Sequence, residues 1–219
     1  MTKQQIRDRI QEIGIIPSIR LSSAADALFA AEAVCTGGIP IVEVTMTIPG
    51  AVDVIRELTR NSPGMIVGAG SIWDAEVARQ CLDAGAAFLT STGFDPGTVA
   101  FAQQNDVVVF PGVLTASEVM TAWKAGVDFV KIFPCMNVGG PSYIKALKRP
   151  FPEIPLIAGG GVNQQNAADF IVAGATAIGI GAHLIQPKAV ERREASWIHE
   201  LAGRFLGLVR EARTRQHPN

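Results

Sequence analysis

The chain has little cysteine, almost no net charge and no long apolar run, and each shortage removes a class of function. Cys35, Cys81 and Cys135 are odd in number, widely spaced and free of any C-x-x-C pair. That pattern argues against a disulfide framework or a cysteine-rich metal site and fits a reducing cytoplasm. The formal net charge is -1 with the signs interspersed, so no basic stripe is present for nucleic acid and a small molecule is the expected partner. No uninterrupted apolar stretch approaches the roughly 20 residues needed to span a bilayer, and Met1 to Arg9 is polar and charged, unlike a signal peptide. A soluble cytoplasmic protein is expected. His183, His199 and His217 lack metal-ligand spacing, so they read as surface or packing residues and no metal is assigned. No G-x-G-x-x-G follows the first strand-like run, which argues against a doubly wound open sheet, the competing architecture; no cofactor is expected.

What is present is a regular alternation. Of 219 residues, 48% are hydrophobic and 18% charged, a globular composition with length for one substantial core. No linker or low-complexity block divides it, so residues 1–219 read as one domain. Short β-rich apolar runs recur roughly every 20 to 26 residues with helical patterns between them, the cadence of strand-plus-helix units. The runs cover residues 14–19, 39–44, 65–67, 88–90, 107–110, 129–132, 156–158 and 177–180. Helix starts are marked by Ser22 or Ser23, by Pro49, by Asp95-Pro96 and by the capping box Thr115-Ala116-Ser117-Glu118. Gly37, Gly38, Gly85, Gly126 and Gly174 stand just before the next run, where a left-handed residue ends a helix.

Eight strands, each followed by a helix, predict an α/β fold: a (β/α)₈ TIM barrel. An extra N-terminal helix is expected over residues 1–12. A terminal helix over 194–213 would bury Trp197, Leu201, Phe205 and Leu208 on one face, and the tail 214–219 is expected to fray.

Barrels of this kind carry their chemistry at the C-terminal strand ends. Arg20 closes the first strand, and Glu43 lies near the end of the second with Thr45 and Thr47 beyond it. Ser71 follows the third, Ser91 and Thr92 follow the fourth, and Lys131 ends the sixth. Lys131 sits in Asp128-Phe129-Val130-Lys131-Ile132-Phe133-Pro134, where burial is costly and pushes an amine toward its neutral, nucleophilic form. Lys3, Lys124, Lys145, Lys148 and Lys188 lie in helices, helix ends or termini, from which the head reaches water. A strand-end lysine that snorkels to solvent is the alternative. Glu43, flanked by Ile41, Val42 and Val44, is the one carboxylate within the runs, and a buried acid needs a partner or a raised pKa. A structural ion pair with Arg20 or Lys131 would also satisfy it. Together, amine and carboxylate supply what a metal-free aldol cleavage requires: an imine-forming nitrogen as electron sink and a proton carrier beside it.

Gly159-Gly160-Gly161 and Gly179-Ile180-Gly181 follow the seventh and eighth strands, the two places where such barrels commonly hold phosphate. Asn163 is expected to begin the helix after the first stretch. Gly68-Ala69-Gly70-Ser71 is weaker evidence, because tight turns alone explain glycines at strand ends. Trp73 is near enough to the Ser71 loop to line a site mouth. Cys135 reads as a small buried residue without a chemical role.

Several of these stretches stand in one order. Ile41-Val42-Glu43-Val44-Thr45, Val67-Gly68-Ala69-Gly70-Ser71, Phe110-Pro111-Gly112, Val130-Lys131-Ile132-Phe133-Pro134 and Gly160-Gly161-Val162 resemble the KDPG/KHG aldolase family over nearly the whole chain. The resemblance implies a class I aldolase on a (β/α)₈ barrel, usually a homotrimer. Such enzymes split 2-keto-3-deoxy-6-phosphogluconate, its galactonate epimer or 4-hydroxy-2-oxoglutarate into pyruvate and an aldehyde. By position it makes Lys131 the Schiff-base lysine and Glu43 the general acid/base. Ser71, Thr92, Phe133, Gly160, Gly161 and Gly181 fall where the family contacts pyruvate or phosphate.

There are departures. Thr47 stands where some members carry a carboxylate-binding arginine, Thr92 replaces a frequent proline, and Ala182 a frequent phosphate-binding serine. Gly159 occupies a position linked in the family to stereochemical preference. Members lacking the later arginine carry one at the end of the first strand, so Arg20 is assigned the carboxylate. Two further readings stand beside aldol cleavage. One is a phospho-sugar epimerase or isomerase in which Lys131 is only an electrostatic group; the other is a non-catalytic binder of sugar-acid phosphates.

Overall fold

Short β-branched runs and capped helices alternate in the computed structural model, which describes residues 1–216, the last of them without side-chain detail. The strands are β1 (Ile15–Ile19), β2 (Ile41–Thr45), β3 (Ile66–Ile72), β4 (Phe88–Ser91), β5 (Val108–Phe110), β6 (Gly112–Val113), β7 (Val130–Ile132), β8 (Leu156–Gly159) and β9 (Ala175–Ile180). The helices are α1 (Lys3–Ile13), α2 (Ala24–Thr36), α3 (Ala51–Asn61), α4 (Ala75–Asp83) and α5 (Pro96–Gln104). They continue as α6 (Ala116–Lys124), α7 (Pro141–Lys148), α8 (Ala167–Val172), α9 (Pro187–Glu191) and α10 (Ala195–Gln216), with a 3-10 turn at Cys135–Val138.

All the strand pairings are parallel, in the order β5-β4-β3-β2-β1-β9-β8-β7-β6. The two outer strands, β5 and β6, are separated only by Pro111. β5 is the fifth expected run, and β6 continues the same stretch of chain, unforeseen, beyond a residue that has no N–H to give a ladder. β5 pairs with β4 and β6 with β7, so the chain itself completes a nearly closed barrel. The Lys131 N–H reaches the Pro111 carbonyl at 3.0 Å across this seam. Gly112 makes the closure possible, because a Cβ there would overlap the Thr92 carbonyl. The (β/α)₈ expectation therefore holds.

Residues 68–71 correct the expectation of a turn. β3 continues through them to Ile72, in register with β2 at Glu43↔Gly68, Val44↔Ala69 and Thr45↔Gly70. Small residues there leave room for neighbouring side chains rather than for a bend: a Cβ at Gly68 would overlap the Phe88 ring. Phe88 stacks on Phe110 at 5.3 Å, and Phe110 meets Phe129 edge-on at 6.0 Å.

Helix boundaries follow their caps. Ser23, Asp95 and Thr115 accept the N–H three residues on, and Glu118 returns the bond to Thr115. α3 starts at Ala51 behind Gly50, two residues later than a helix opened by Pro49 would start. α8 starts at Ala167 behind Asn166, because Asn163 spends its side chain on a turn, accepting the Gln165 and Asn166 N–H groups. Gly38, Gly85, Gly126 and Gly174 have positive φ as expected, whereas Gly37 does not. Along α10, Leu201 and Phe205 are buried and Trp197 and Leu208 half-buried. The helix runs to Gln216, through the first part of the segment expected to fray, and residues 217–219 lie outside the described ones.

α1 is the extra N-terminal helix, and it is joined to the barrel by charge. Lys3 and Arg7 approach the buried Asp128 carboxylate at 3.1 and 3.6 Å, so Lys3 does not reach freely into water. Asp128 Oδ2 accepts the Val109 N–H at 2.9 Å, while its own N–H donates to the Val109 carbonyl at 3.0 Å. This side chain thus replaces a missing ladder acceptor between β5 and the start of β7, three residues before Lys131. Asp128→Ala should lower stability by about 1 to 3 kcal/mol, because it orphans a buried N–H. Asp128→Asn, which keeps an acceptor, should lose less; urea unfolding midpoints measure both.

Candidate active site

Alternation along β7 sets the site. Val130 and Ile132 are fully buried in the core on either side of Lys131, whose amine is directed into the barrel. Lys131 Nζ lies 3.5 Å from Glu43 Oε2 and 3.5 Å from Thr90 Oγ1. Both distances are at the outer limit of a hydrogen bond, so the amine faces the carboxylate without being tied up in a tight ion pair. Residue exposures of 8% for Lys131 and 3% for Glu43 rule out the snorkelling alternative. Of the two structural partners considered for Glu43, Lys131 is the one it meets.

The carboxylate is held from the neighbouring strand. Ser18, paired in register with Glu43 on β1, donates its hydroxyl to Oε2 at 3.0 Å. Gly70 on β3 lies against the other oxygen, and a Cβ there would overlap Glu43 Oε1. On the far side Thr90 gives its proton to the Phe110 carbonyl at 2.8 Å, which turns its lone pairs toward Lys131. Phe133 closes the same region, its ring centroid 5.6 Å from Nζ.

A cavity of about 380 Å³ opens above this pair. Lys131, Glu43, Arg20, Ser71, Thr92, Phe133, Gly159, Gly160, Gly161, Gly181 and Ala182 all line it. Thr47 does not. Its hydroxyl is bonded to Thr45 at 2.7 Å, and it lines an adjoining chamber of about 410 Å³ together with Trp73 and Phe94. Arg20, Ser71 and Thr92 border both spaces. Arg20 is exposed and donates from Nη2 to Ser71 Oγ at 3.3 Å. Ser71 has a φ of +59°, a left-handed conformation inside a strand that costs about 1 to 2 kcal/mol and coincides with the shift in β3–β4 register.

At the other side of the cavity, Gly160 and Gly161 have φ values of +85° and +86°. A Cβ on Gly160 would stand 2.9 Å from Pro134 Cα, and one on Gly161 would overlap Met136. Close packing of this loop on residues 133–136 accounts for the glycines even without an anion, and Met136 N–H adds a bond to Gly160 O at 3.0 Å. Gly159 is different: a Cβ would meet Lys131 Cε at 3.3 Å, so its side chain, had it one, would wall the amine. Cys135 is buried, which pushes its thiol up to about 12 and leaves it inert.

Sequence reasoning missed Ser18 and Thr90 and the contact of Gly70 with Glu43; His183 is at the surface, as expected, and also lines the cavity. Ser18 carried a signal, being the only polar residue of β1, but its meaning needed the β1–β2 register. Among the described residues no group of three His, Cys, Asp or Glu side chains gathers to hold a metal ion.

A buried amine facing a carboxylate, with a guanidinium and hydroxyl nearby, can attack a carbonyl, move protons beside it and hold an anion. Gly70→Ala should displace the Glu43 carboxylate and cut turnover about 10²-fold, the cost of a misplaced catalytic group. Gly64→Ala, whose Cβ would meet nothing within 4 Å, is the control that should leave turnover intact. Initial rates on folded variants, checked by thermal melts, measure the difference.

Comparison with known proteins agrees with this geometry. The family model described as KDPG and KHG aldolase matches residues 6–201. A 2-dehydro-3-deoxy-phosphogluconate aldolase of Pseudomonas aeruginosa is 34% identical over 183 residues, covering 84% of this chain and 83% of that protein. The KHG/KDPG aldolase of Escherichia coli is 29% identical over 188 residues, 86% of this chain and 88% of its own. The crystal structure of KDPG aldolase from Legionella pneumophila, with pyruvate captured at low pH as a covalent carbinolamine intermediate, superposes with a TM-score of 0.84. It is 28% identical and covers 90% of this chain and 96% of that one. The family match spans every strand and both halves of the amine–carboxylate pair, and the chain belongs to the KDPG and KHG aldolase family.

Proposed function

We propose that this class I aldolase cleaves a 2-keto-3-deoxy-6-phospho sugar acid to pyruvate and glyceraldehyde 3-phosphate, with 4-hydroxy-2-oxoglutarate as a second substrate. The observation that carries the reading is the 3.5 Å separation of Lys131 Nζ from Glu43 Oε2 inside the cavity. The free amine adds to the C2 carbonyl, and Glu43, carrying the proton taken from Lys131, gives it to the departing hydroxyl, so that water leaves a protonated imine beside a carboxylate. Glu43 accepts the C4 hydroxyl proton as the C3–C4 bond breaks; the bonding pair passes into the imine as an enamine and the aldehyde departs. Glu43 then returns a proton to C3, and water hydrolyses the imine to release pyruvate.

The two sides of the cavity suit the two ends of such a substrate. Arg20 and Ser71 offer a guanidinium fork and a hydroxyl for the C1 carboxylate, the role Thr47 is too short and too distant to fill. Gly160, Gly161, Gly181 and Ala182 offer backbone to the phosphate. Gly159 leaves the wall beside Lys131 without a side chain, so it favours neither epimer. An epimerase would use Glu43 alone and leave Lys131 a bystander, which no feature of the pair favours. The reading includes a cytoplasmic location, supported by three free thiols, and a homotrimer, supported by family membership. Among the described residues no helix is long and apolar enough to cross a membrane.

Coupled detection of pyruvate release tests the proposal. Lys131→Met should abolish release, while Glu43→Gln should retain it at about 10² to 10⁴ below wild type, the usual worth of general acid–base help. Arg20→Lys should raise KM for pyruvate in the condensation direction, since an ammonium cannot reproduce the fork. Release by Lys131→Met at the wild-type rate would refute the mechanism.

A further inference from the structure

Four ionisable side chains line the cavity: Arg20, Glu43, Lys131 and His183. Three have partners within it. Lys131 faces Glu43, and Arg20, although it leaves β1 beside β9, leans across to Ser71 on β3. The glycine-lined side is otherwise uncharged, its remaining walls being Val162, Ala182 and Ile185. A phosphate dianion placed there would meet backbone and apolar carbon alone, were it not for His183.

The backbone around His183 is fixed. After β9 the chain turns so that Leu184 and Ile185 both donate to the Gly181 carbonyl, at 2.9 and 3.0 Å. Leu184 and Ile185 are buried by that turn, and His183, one residue before them, is left exposed on the cavity rim beside Ala182. An anchored backbone with an outward imidazole suits a ligand contact better than a packing role. Imidazole donates an N–H in either protonation state, so it can bond a phosphate oxygen whether or not it carries charge.

We propose that His183 is the specificity-determining residue for the phosphate end of the substrate, supplying the side-chain donor that Ala182 lacks. This rests on the aldolase reading above. The test compares kcat/KM for a 2-keto-3-deoxy-6-phospho sugar acid and its unphosphorylated form in wild type, His183→Ala and His183→Arg. A hydrogen bond to a charged group corresponds to about 10- to 100-fold. The preference for the phosphorylated form should fall by that factor in His183→Ala and return in His183→Arg, chiefly through KM. An unchanged preference in His183→Ala, or equal losses on both substrates, would overturn the assignment while leaving the aldolase intact. Failure of the wild type to cleave either form would instead bring down the aldolase reading, and this inference with it.

Discussion

The contact on which the molecule turns is an amine and a carboxylate facing each other inside a parallel barrel, close enough to exchange a proton and too far apart to lock. Neither group is tolerable there alone, since an isolated buried charge is expensive. Each is set by a different strand, so their separation is a property of the whole ring. β2 carries Glu43 and takes its register from β1 and β3; β7 carries Lys131 and takes its register from β6 and β8. The seam at Pro111 lies between these two groups of strands, which is why a carbonyl bonded by the Lys131 N–H and a glycine pressed on Thr92 matter to chemistry some distance away.

The rest of the site divides by strand position. Arg20 and Ser71, from β1 and β3, make a polar corner; the loops after β8 and β9 make a glycine-lined one, and Lys131 with Glu43 lies between. The proposed substrate, a linear keto acid with an anionic group at each end, would place its carbonyl carbon at the amine. Departures from the family pattern change the walls and leave the centre. Thr47 lacks a guanidinium and Ala182 lacks a side-chain donor, whereas Arg20 and His183 both line the cavity.

Much of this was legible in the chain. Lys131 and Glu43 stood out because a strand of Val, Ile and Phe has no reason to hold a charge, and burial of both is what the fold shows. The (β/α)₈ pattern was legible because capping residues and terminal glycines punctuate each unit. What escaped depended on neighbours in space. Gly68 and Gly70 looked like a turn because glycine has no side chain to report what fills the gap, and here the fillers are Phe88 and Glu43 from adjacent strands. Ser18 and Thr90 are ordinary strand residues until the register puts one on Glu43 and the other on Lys131. Thr47 was placed in the pocket from its position past β2, but its hydroxyl turns back to Thr45 and its side chain borders the next chamber.

The most direct measurement is peptide mass spectrometry after incubating the protein with pyruvate and borohydride. The account predicts one reduced pyruvyl adduct, on the peptide that contains Lys131 and on no other lysine. No adduct, or an adduct on a surface residue such as Lys145 with Lys131 unmodified, would contradict it.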